Sequence, residues 1–244
     1  MTDIPFELQI LSQAKNYQKW IADTILPYLG ESILEVGAGI GNQSRWLPIR
    51  KNLIITEASA NLFPTLQENL KLKFGQDPRL QTDLVNLDID WTKSYTDKKI
   101  DTIVSFNVLE HVEDDASVIQ SFLEILKANT DLTPKRIVTF VPAHQWAFGT
   151  VDTAYGHYRR YSHKNFLRIL ESHKITAKTY YRYFNLFGLP GWLLMNKVLR
   201  RTEIGLGAVK SFEQLCPLLK PSDNFLSGTL RIPMGQSLLF VIEV

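Results

Sequence analysis

Short apolar runs rich in β-branched residues recur along the chain, and they alternate with loops or with stretches that have helical spacing. Such runs are typical of buried strands. Seven are predicted as strands, over residues 32–36, 53–56, 80–87, 100–106, 136–141, 179–184 and 237–244. The alternation predicts an α/β fold in which helices cover a parallel sheet, and the last two strands are expected to pair near its edge.

Helical spacing fills several of the intervals between these strands. Residues 61–73 carry leucines at positions i, i+4 and i+8, which places them along one face of a helix. Residues 116–127 have apolar positions in helical register between the fourth and fifth strands. Ser162 is suited to the N-cap of a later helix, and residues 43–48 are expected to start a helix directly after the first strand.

Two segments depart from this regular pattern within one predicted domain over residues 1–244. Residues 142–161 follow the fifth strand and are crowded with aromatic side chains, so they are predicted to be a substrate-side loop. Residues 184–233 are predicted to be an insertion. Its apolar start is too short and too interrupted for the roughly 20 residues of a spanning helix. That apolar start can line a substrate pocket, form a lid, rest on a membrane surface or pack as an ordinary helix.

The composition excludes several classes of protein. The chain has 27 Lys and Arg residues against 25 Asp and Glu residues, so no sustained basic field for nucleic acid is expected. Cys216 is the only cysteine and is interpreted as a small buried apolar residue in a reducing compartment. The first residues lack the features of a secretory signal, so we expect a cytoplasmic protein without integral membrane insertion.

The turn after the first strand carries the clearest chemical signal. Glu35 stands near the end of the strand, and Gly37, Gly39 and Gly41 alternate after it, followed by Asn42. Glycine permits positive φ and lets a ligand approach the backbone closely. A dinucleotide fingerprint would need a further glycine or alanine that this chain lacks, and a P-loop would need Gly-Lys-Ser/Thr. The turn therefore indicates a nucleotide-containing ligand of another kind.

Residues 34–42 resemble the first motif of the class I S-adenosylmethionine-dependent methyltransferases. Three further features follow in the order found in that family. Glu57 ends the second strand, where the family places the acid that binds both ribose hydroxyls. Asp88 follows the third strand, where the family often has an acid for the adenine amino group, and residues 101–114 are close to the family's fourth motif. The resemblance implies S-adenosylmethionine as cofactor. It also implies a Rossmann-like, doubly wound sheet of seven strands, mostly parallel with the last strand antiparallel, and helices on both faces.

The resemblance also implies which residues bind the cofactor. They are expected to be Glu35, Gly37, Ala38, Gly39, Gly41, Asn42, Glu57, Ala58, Asp88, Ile89 and Asn107. Residues 1–30 are expected to form a helical cap over the cofactor. Within that cap, Tyr17 and Trp20 are expected either to contact the substrate or to pack in the core.

Methyl transfer is an in-line displacement that depends mainly on positioning, and it needs a proton acceptor only when the nucleophile starts protonated. His111 is a candidate acceptor, because an unperturbed imidazole titrates near ~6.5. Ubiquinone-type O-methyltransferases resemble this segment and hold a divalent metal with Glu, Glu and His. This chain has Asn107 at the first of those positions. Fewer charged oxygen ligands weaken a site for a hard cation, so no obligatory metal is predicted.

A second group of candidates lies in the aromatic segment after the fifth strand. Asp152 and His157 are expected to bind and deprotonate the acceptor, and Tyr158, Arg159 and Arg160 are expected to contact it. Similar segments occur in a bacterial branch of the same family. The alternative is that the carboxylate and an arginine form a clamp that only orders the loop.

We therefore predict an enzyme that transfers a methyl group to an oxygen or nitrogen of a small-molecule acceptor, a class that includes natural products, peptides and lipid-linked molecules. The alternative is a non-catalytic partner or regulatory subunit of the same fold that binds S-adenosylmethionine without turnover. A methyltransferase acting on nucleic acid or protein is disfavoured, because the chain lacks a basic tract and an Asn-Pro-Pro-Tyr type of motif.

Overall fold

The sheet has seven strands in the order β3-β2-β1-β4-β5-β7-β6. The computed structural model describes residues 4–87, 91–128 and 134–244. The strands are β1 (Ser32–Val36), β2 (Asn52–Glu57), β3 (Leu80–Leu84), β4 (Thr102–Phe106), β5 (Arg136–Pro142), β6 (Lys178–Phe184) and β7 (Ser237–Glu243). The first five are mutually parallel, and β7 runs antiparallel to both β5 and β6. This is the Rossmann-like sheet that was predicted.

The helices flank the sheet on both faces. They are α1 (Phe6–Leu11), α2 (Lys15–Ile25), α3 (Phe63–Phe74), α4 (Asp115–Ala128), α5 (Thr150–Ala154), α6 (His163–Ser172), α7 (Gly188–Leu193) and α8 (Leu206–Asp223). Helix α7 continues into a π-helical turn over Leu194–Val198, and α8 continues into another over Asn224–Thr229. No helix among the described residues is both long and apolar enough to cross a bilayer.

The central strands are buried on both faces, so their apolar residues run continuously instead of alternating with polar ones. In β1, Leu34 shares a core with Phe122 of α4 and Phe166 of α6. The adjacent Ile33 points to the opposite face, where it shares a second core with Leu66 of α3. The two cores hold the sheet rigidly between its helical layers, and the loops at the ends of its strands are therefore well supported.

Most predicted elements are present within a residue or two, and two predictions need correction. Residues 43–48 do not start an α-helix; only a 3₁₀ turn over Ser44–Trp46 forms, and Pro48 supplies no backbone N–H donor with which to extend it. Strand β3 ends at Leu84 instead of residue 87, because its partner β2 ends at Glu57, which is paired with Leu84.

Candidate functional site

A cavity of about 490 Å³ lies at the carboxyl ends of the parallel strands. The strand order reverses between β1 and β4, and this is the position where open α/β sheets bind ligands. Residues that directly follow strands line it, among them Gly37 after β1, Ala58 after β2 and Asn107 after β4. The cavity extends to Trp192 at the end of α7, so the insertion contributes to its wall.

The glycine-rich turn forms one side of the cavity. The N–H groups of Gly37 and Ala38 both donate to the carbonyl oxygen of Thr56, at 3.0 and 2.9 Å, which fixes the turn against β2. Gly37 has φ +75°, and a Cβ there would lie 2.6 Å from Cγ2 of Val108, so only glycine fits. Gly39 has φ +60°. The turn therefore presents bare backbone to the cavity.

Glu57 connects the end of β2 to this turn. Its Oε2 accepts a hydrogen bond from the Gly39 N–H at 2.6 Å, and its Oε1 accepts one from the Ser59 N–H at 2.8 Å. The side chain is held in one orientation and lines the cavity. Each carboxylate oxygen has a second lone pair, so the pair of oxygens can accept from two neighbouring hydroxyl groups.

Glu35 places a second carboxyl group beneath the turn. Its side chain is buried in β1 and borders the cavity, and its Oε2 has no hydrogen-bond partner among the described residues. Burial, and to a smaller extent the nearby Glu57, raises the pKa of Glu35 to about 8, although a hydrogen bond with Ser44 acts in the opposite direction. An unpartnered buried carboxyl of this kind suits a ligand that brings a positive charge.

Glu110, His111 and His157 form a cluster on the other side of the cavity. One ligand-type atom from each lies within 4.8 Å of the others. The two imidazole rings meet edge to face, with centroids 4.7 Å apart. Both carboxylate oxygens of Glu110 are buried without a hydrogen-bond partner among the described residues, and burial raises its pKa to about 8. Burial and the neighbouring His157 lower the pKa of His111 to about 4.

Asp152 orients His157 from behind. Its Oδ1 lies 2.9 Å from His157 Nδ1 and accepts from Arg160 Nε at 2.7 Å, while its Oδ2 accepts from the Gly149 N–H at 2.9 Å and from Asn196 Nδ2 at 3.1 Å. Burial alone would raise the pKa of Asp152, but the His157 hydrogen bond and the Arg160 charge hold it below its usual value. An ionised Asp152 accepts a hydrogen bond from the Nδ1–H group of His157, which leaves Nε2 as the nitrogen with a lone pair.

Comparison with known proteins agrees with this geometry. Residues 34–132 match a family model described as a methyltransferase domain. The chain therefore contains a methyltransferase domain. This confirms the predicted enzyme class, and the predicted cofactor agrees with two structural relatives described below, one S-adenosylmethionine-dependent and one solved with that molecule. No curated protein matches the chain in sequence.

Solved structures share the fold of this methyltransferase domain at low sequence identity. One is an S-adenosylmethionine-dependent methyltransferase from Archaeoglobus fulgidus, with 12% identity over 93% of this chain and 94% of that one and a TM-score of 0.54. Another is the methyltransferase domain of bacterial CtHen1, with 13% identity over 94% of this chain and 100% of that one and a TM-score of 0.54. Phosphoethanolamine N-methyltransferase 2 of Haemonchus contortus, solved with S-adenosyl-L-methionine, has 13% identity over 91% of this chain and 52% of that one and a TM-score of 0.54.

Most of the residues predicted to bind the cofactor in the methyltransferase domain lie around the cavity. Those that line it are Glu35, Gly37, Ala38, Gly39, Asn42, Glu57, Ala58 and Asn107. Gly41 does not line it; this glycine faces the Leu66 side chain, 3.0 Å from the position of a Cβ, and allows α3 to pack closely. Asp88 and Ile89 lie outside the described residues.

The predicted substrate-side residues divide into two groups. Arg160 lines the cavity, with its guanidinium 4.3 Å from the centroid of the Trp192 ring. Its Nε and Nη1 already donate hydrogen bonds to Asp152 and to the carbonyl oxygen of Ala143, so the guanidinium is not free for a bidentate pair with an acceptor. Tyr158 is exposed, and Arg159 pairs with Asp115 at 3.0 Å; neither lines the cavity. The Asp152–Arg160 pair therefore fits the clamp alternative, and Arg159 forms a different pair outside the cavity.

The two aromatic residues of the N-terminal segment also differ. Tyr17 lines the cavity, and burial raises the pKa of its phenol to about 12, so it stays protonated. Trp20 is fully buried and packs against Phe184 with ring centroids 4.3 Å apart. The core alternative is therefore correct for Trp20, because helix α2 turns it toward the sheet and away from the cavity.

Sequence reasoning missed Glu110 and Trp192 as cavity residues. Glu110 was visible beside His111, but adjacent residues in a 3₁₀ turn diverge and the sequence does not say which faces inward. Trp192 lies 32 positions after Arg160, the cavity residue that its ring contacts, and no local motif marks it. A lone carboxylate beside a candidate histidine is the signal that would have found the first.

We expect the free energy of unfolding of the ligand-free protein to fall as pH rises. Glu35 and Glu110 are buried with their pKa raised from 4.5 to about 8, so the folded protein retains protons that the unfolded chain releases. Their stabilisation is complete below the unfolded pKa and is lost as pH rises through about 8. In Glu110→Gln, the total fall in the free energy of unfolding between low and high pH should be smaller by about 2–4 kcal/mol. Thermal unfolding measured at a series of pH values gives this fall. A variant that keeps the full slope of the native protein would show that Glu110 is ionised in the fold.

Proposed function

We propose that the chain transfers a methyl group from S-adenosylmethionine to an oxygen or nitrogen of a small-molecule acceptor bound beside His157. One observation carries the proposal. A single cavity has the glycine turn and Glu57 on one side and the His111–His157 pair on the other. A donor held by the first set and an acceptor held by the second would share one enclosed space, which is the requirement for an in-line transfer.

The cofactor half of the proposal rests on three features of the chain. The backbone at Gly37 and Gly39 allows close approach, Glu57 provides a pair of oxygens for the ribose hydroxyls, and Glu35 provides a buried carboxyl for the positive end of the ligand. When bound, the cofactor supplies an electrophilic methyl group on a sulfonium. A positive ligand beside Glu35 would stabilise its ionised form and offset the cost of its burial.

The acceptor half assigns distinct tasks to His157 and its neighbours. His157 Nε2 would take the proton of an acceptor hydroxyl as it attacks, or of an acceptor ammonium before the freed amine attacks, and Asp152 would stabilise the imidazolium that results. Arg160 and Asn196 hold Asp152 in place, so they act as positioning residues. His111 is neutral at neutral pH but is a weak base because its pKa is about 4, so we assign it to shaping the site.

The experiment is transfer of labelled methyl from S-adenosylmethionine into extracts of small molecules and into peptides. A labelled small molecule that depends on His157 supports the proposal. Cofactor binding without label in any fraction would instead support the alternative, a non-catalytic partner that binds the cofactor. Label in nucleic acid or protein would replace the predicted acceptor class.

Metal independence is expected in the same assay. The reason is Asn107, which stands where the related O-methyltransferases have a carboxylate, so Glu110 is the one carboxylate grouped with the two histidines as a possible metal ligand among the described residues. Methyl transfer should therefore survive prior treatment with a chelator at unchanged rate. Loss of transfer that magnesium or manganese restores would show that Glu110, His111 and His157 hold a divalent ion instead.

A further inference from the structure

We propose that residues 187–231, the central part of the insertion, dock on the surface of a lipid bilayer that carries anionic headgroups. The starting observation is the outer face of α8 and its π-helical continuation. Leu215, Leu218 and Phe225 are 50%, 75% and 55% exposed. They stand at positions i, i+3 and i+10 and so share one side of the helix.

This face is unusual for a helix in contact with water. Over residues 206–225 the exposed positions are small, apolar or uncharged polar side chains, and Lys210 is the one exposed charged residue among them. The opposite side of the helix is anchored to the protein. Cys216 is buried in the core that also contains Ile25, and Glu213 accepts a hydrogen bond from the backbone N–H of Tyr17. The uncovered side is therefore held firmly outward.

Both helical arms of the insertion end in the same way. After α7, the Leu199 N–H donates to the Leu194 carbonyl at 2.8 Å, and after α8 the Leu230 N–H donates to the Phe225 carbonyl at 2.9 Å. Each leucine is more than half exposed, at 53% and 56%. Arg200 and Arg231 follow them with positive φ, at 49° and 54°. Each arm thus ends in an exposed Leu-Arg pair, an apolar group beside a cation.

The charges of the insertion indicate which partner binds its exposed face. Lys197, Arg200, Arg201, Lys210 and Arg231 form no ion pair in the part of the chain that the structure describes. Most of the segment's acids are engaged inside the protein. Glu213 is bonded to the backbone of α2, and Asp223 is fully buried against the N–H groups of Asn185 and Leu186. Exposed apolar side chains and unpaired cations on one segment match the boundary between acyl chains and anionic headgroups.

The insertion also borders the cavity. Trp192 lines its wall from α7, and Ile204 lines it from the connection to α8. A bilayer under the insertion would bring an amphiphilic acceptor to the cavity mouth. That extension rests on the proposed function, whereas docking itself does not require turnover.

The experiment is sedimentation of the full chain with vesicles made of equal parts phosphatidylglycerol and phosphatidylcholine. We expect binding that is lost in pure phosphatidylcholine and weakened by salt. The double variant Leu218→Glu, Phe225→Glu should bind at least about tenfold more weakly. Arg200→Glu, Arg231→Glu should weaken binding at least about 25-fold, from about fivefold for each cation lost near the surface.

Matched controls lie on α3 and on the loop before β2. Leu72→Glu changes a leucine that is 80% exposed, and Lys51→Glu, Lys71→Glu makes the same charge change as the arginine pair. Both controls should bind vesicles as the native chain does.

Equal loss of vesicle binding in controls and variants, or binding that does not depend on lipid charge, would overturn the proposal. So would a stable dimer by light scattering that Leu218→Glu, Phe225→Glu converts to monomer, because the face would then be covered by a second copy. Because sedimentation does not depend on methyl transfer, it tests membrane docking even if the transfer assay fails.

Discussion

Replacing His157 with alanine is expected to lower turnover by about 10²–10⁴-fold while leaving the affinity for S-adenosylmethionine nearly unchanged. His157 lies on the acceptor side of the cavity, and its Nδ1 is fixed by Asp152, so Nε2 is the group that can take a proton. Glu57 and the glycine turn, which we assign to the cofactor, lie on the other side and do not touch it. Turnover by label transfer and affinity by calorimetry measure the two effects separately.

His173→Ala is the matched control, because His173 is an exposed histidine at the end of α6. It should leave both quantities unchanged. Loss of both quantities in His157→Ala would mean that the loop is structural, and proton transfer would then be assigned to His111. Near-native turnover in both His157→Ala and His111→Ala would mean that the acceptor is already a nucleophile, such as a neutral amine.

Glu57→Ala is expected to weaken S-adenosylmethionine binding at least about 100-fold. The reason is the loss of two charge-assisted hydrogen bonds, each worth about 1.5–3 kcal/mol. Gly39→Val should weaken it comparably, because Gly39 has φ +60° and a valine would place its side chain where the ligand passes. Calorimetric titration of each variant measures the change.

Controls for both substitutions are present in the same chain. Gly75 has φ +67° with nothing within 4 Å of the position of a Cβ, so Gly75→Val carries a similar backbone cost away from the cavity. Glu68→Ala removes an exposed carboxylate from α3. Native affinity in Glu57→Ala and Gly39→Val would remove the cofactor from this cavity. Affinity lost equally in the controls would show a general effect on stability.

The fold was predictable because its signals are local. A strand buried on both faces needs a continuous apolar run, and β1 and β5 have one that few other structures accommodate. The prediction of a helix start at residues 43–48 failed because their pattern favours a helix, while Pro48 lacks the backbone N–H group that would extend it. The end of β3 depended on the length of β2, which is a property of the partner strand.

The same distinction between local signals and distant partners applies to the site residues. Gly37 could be predicted because a tight turn after a strand demands glycine, and Glu57 could be predicted because the family that the chain resembles places an acid at the end of the second strand. The surroundings of His157 could not, since Asp152 is held by Asn196 from a different helical arm. The sequence left Trp20 open between substrate and core and expected Gly41 at the cofactor, because side-chain direction on a helix or in a turn depends on packing, here against Phe184 and Leu66.

Calorimetric titration of the native chain with S-adenosylmethionine tests the central claim most directly. The cavity and its carboxylates predict one molecule bound per chain, with no competition from NAD, whose fingerprint the turn lacks. Absence of binding, or displacement of S-adenosylmethionine by NAD, would contradict the account.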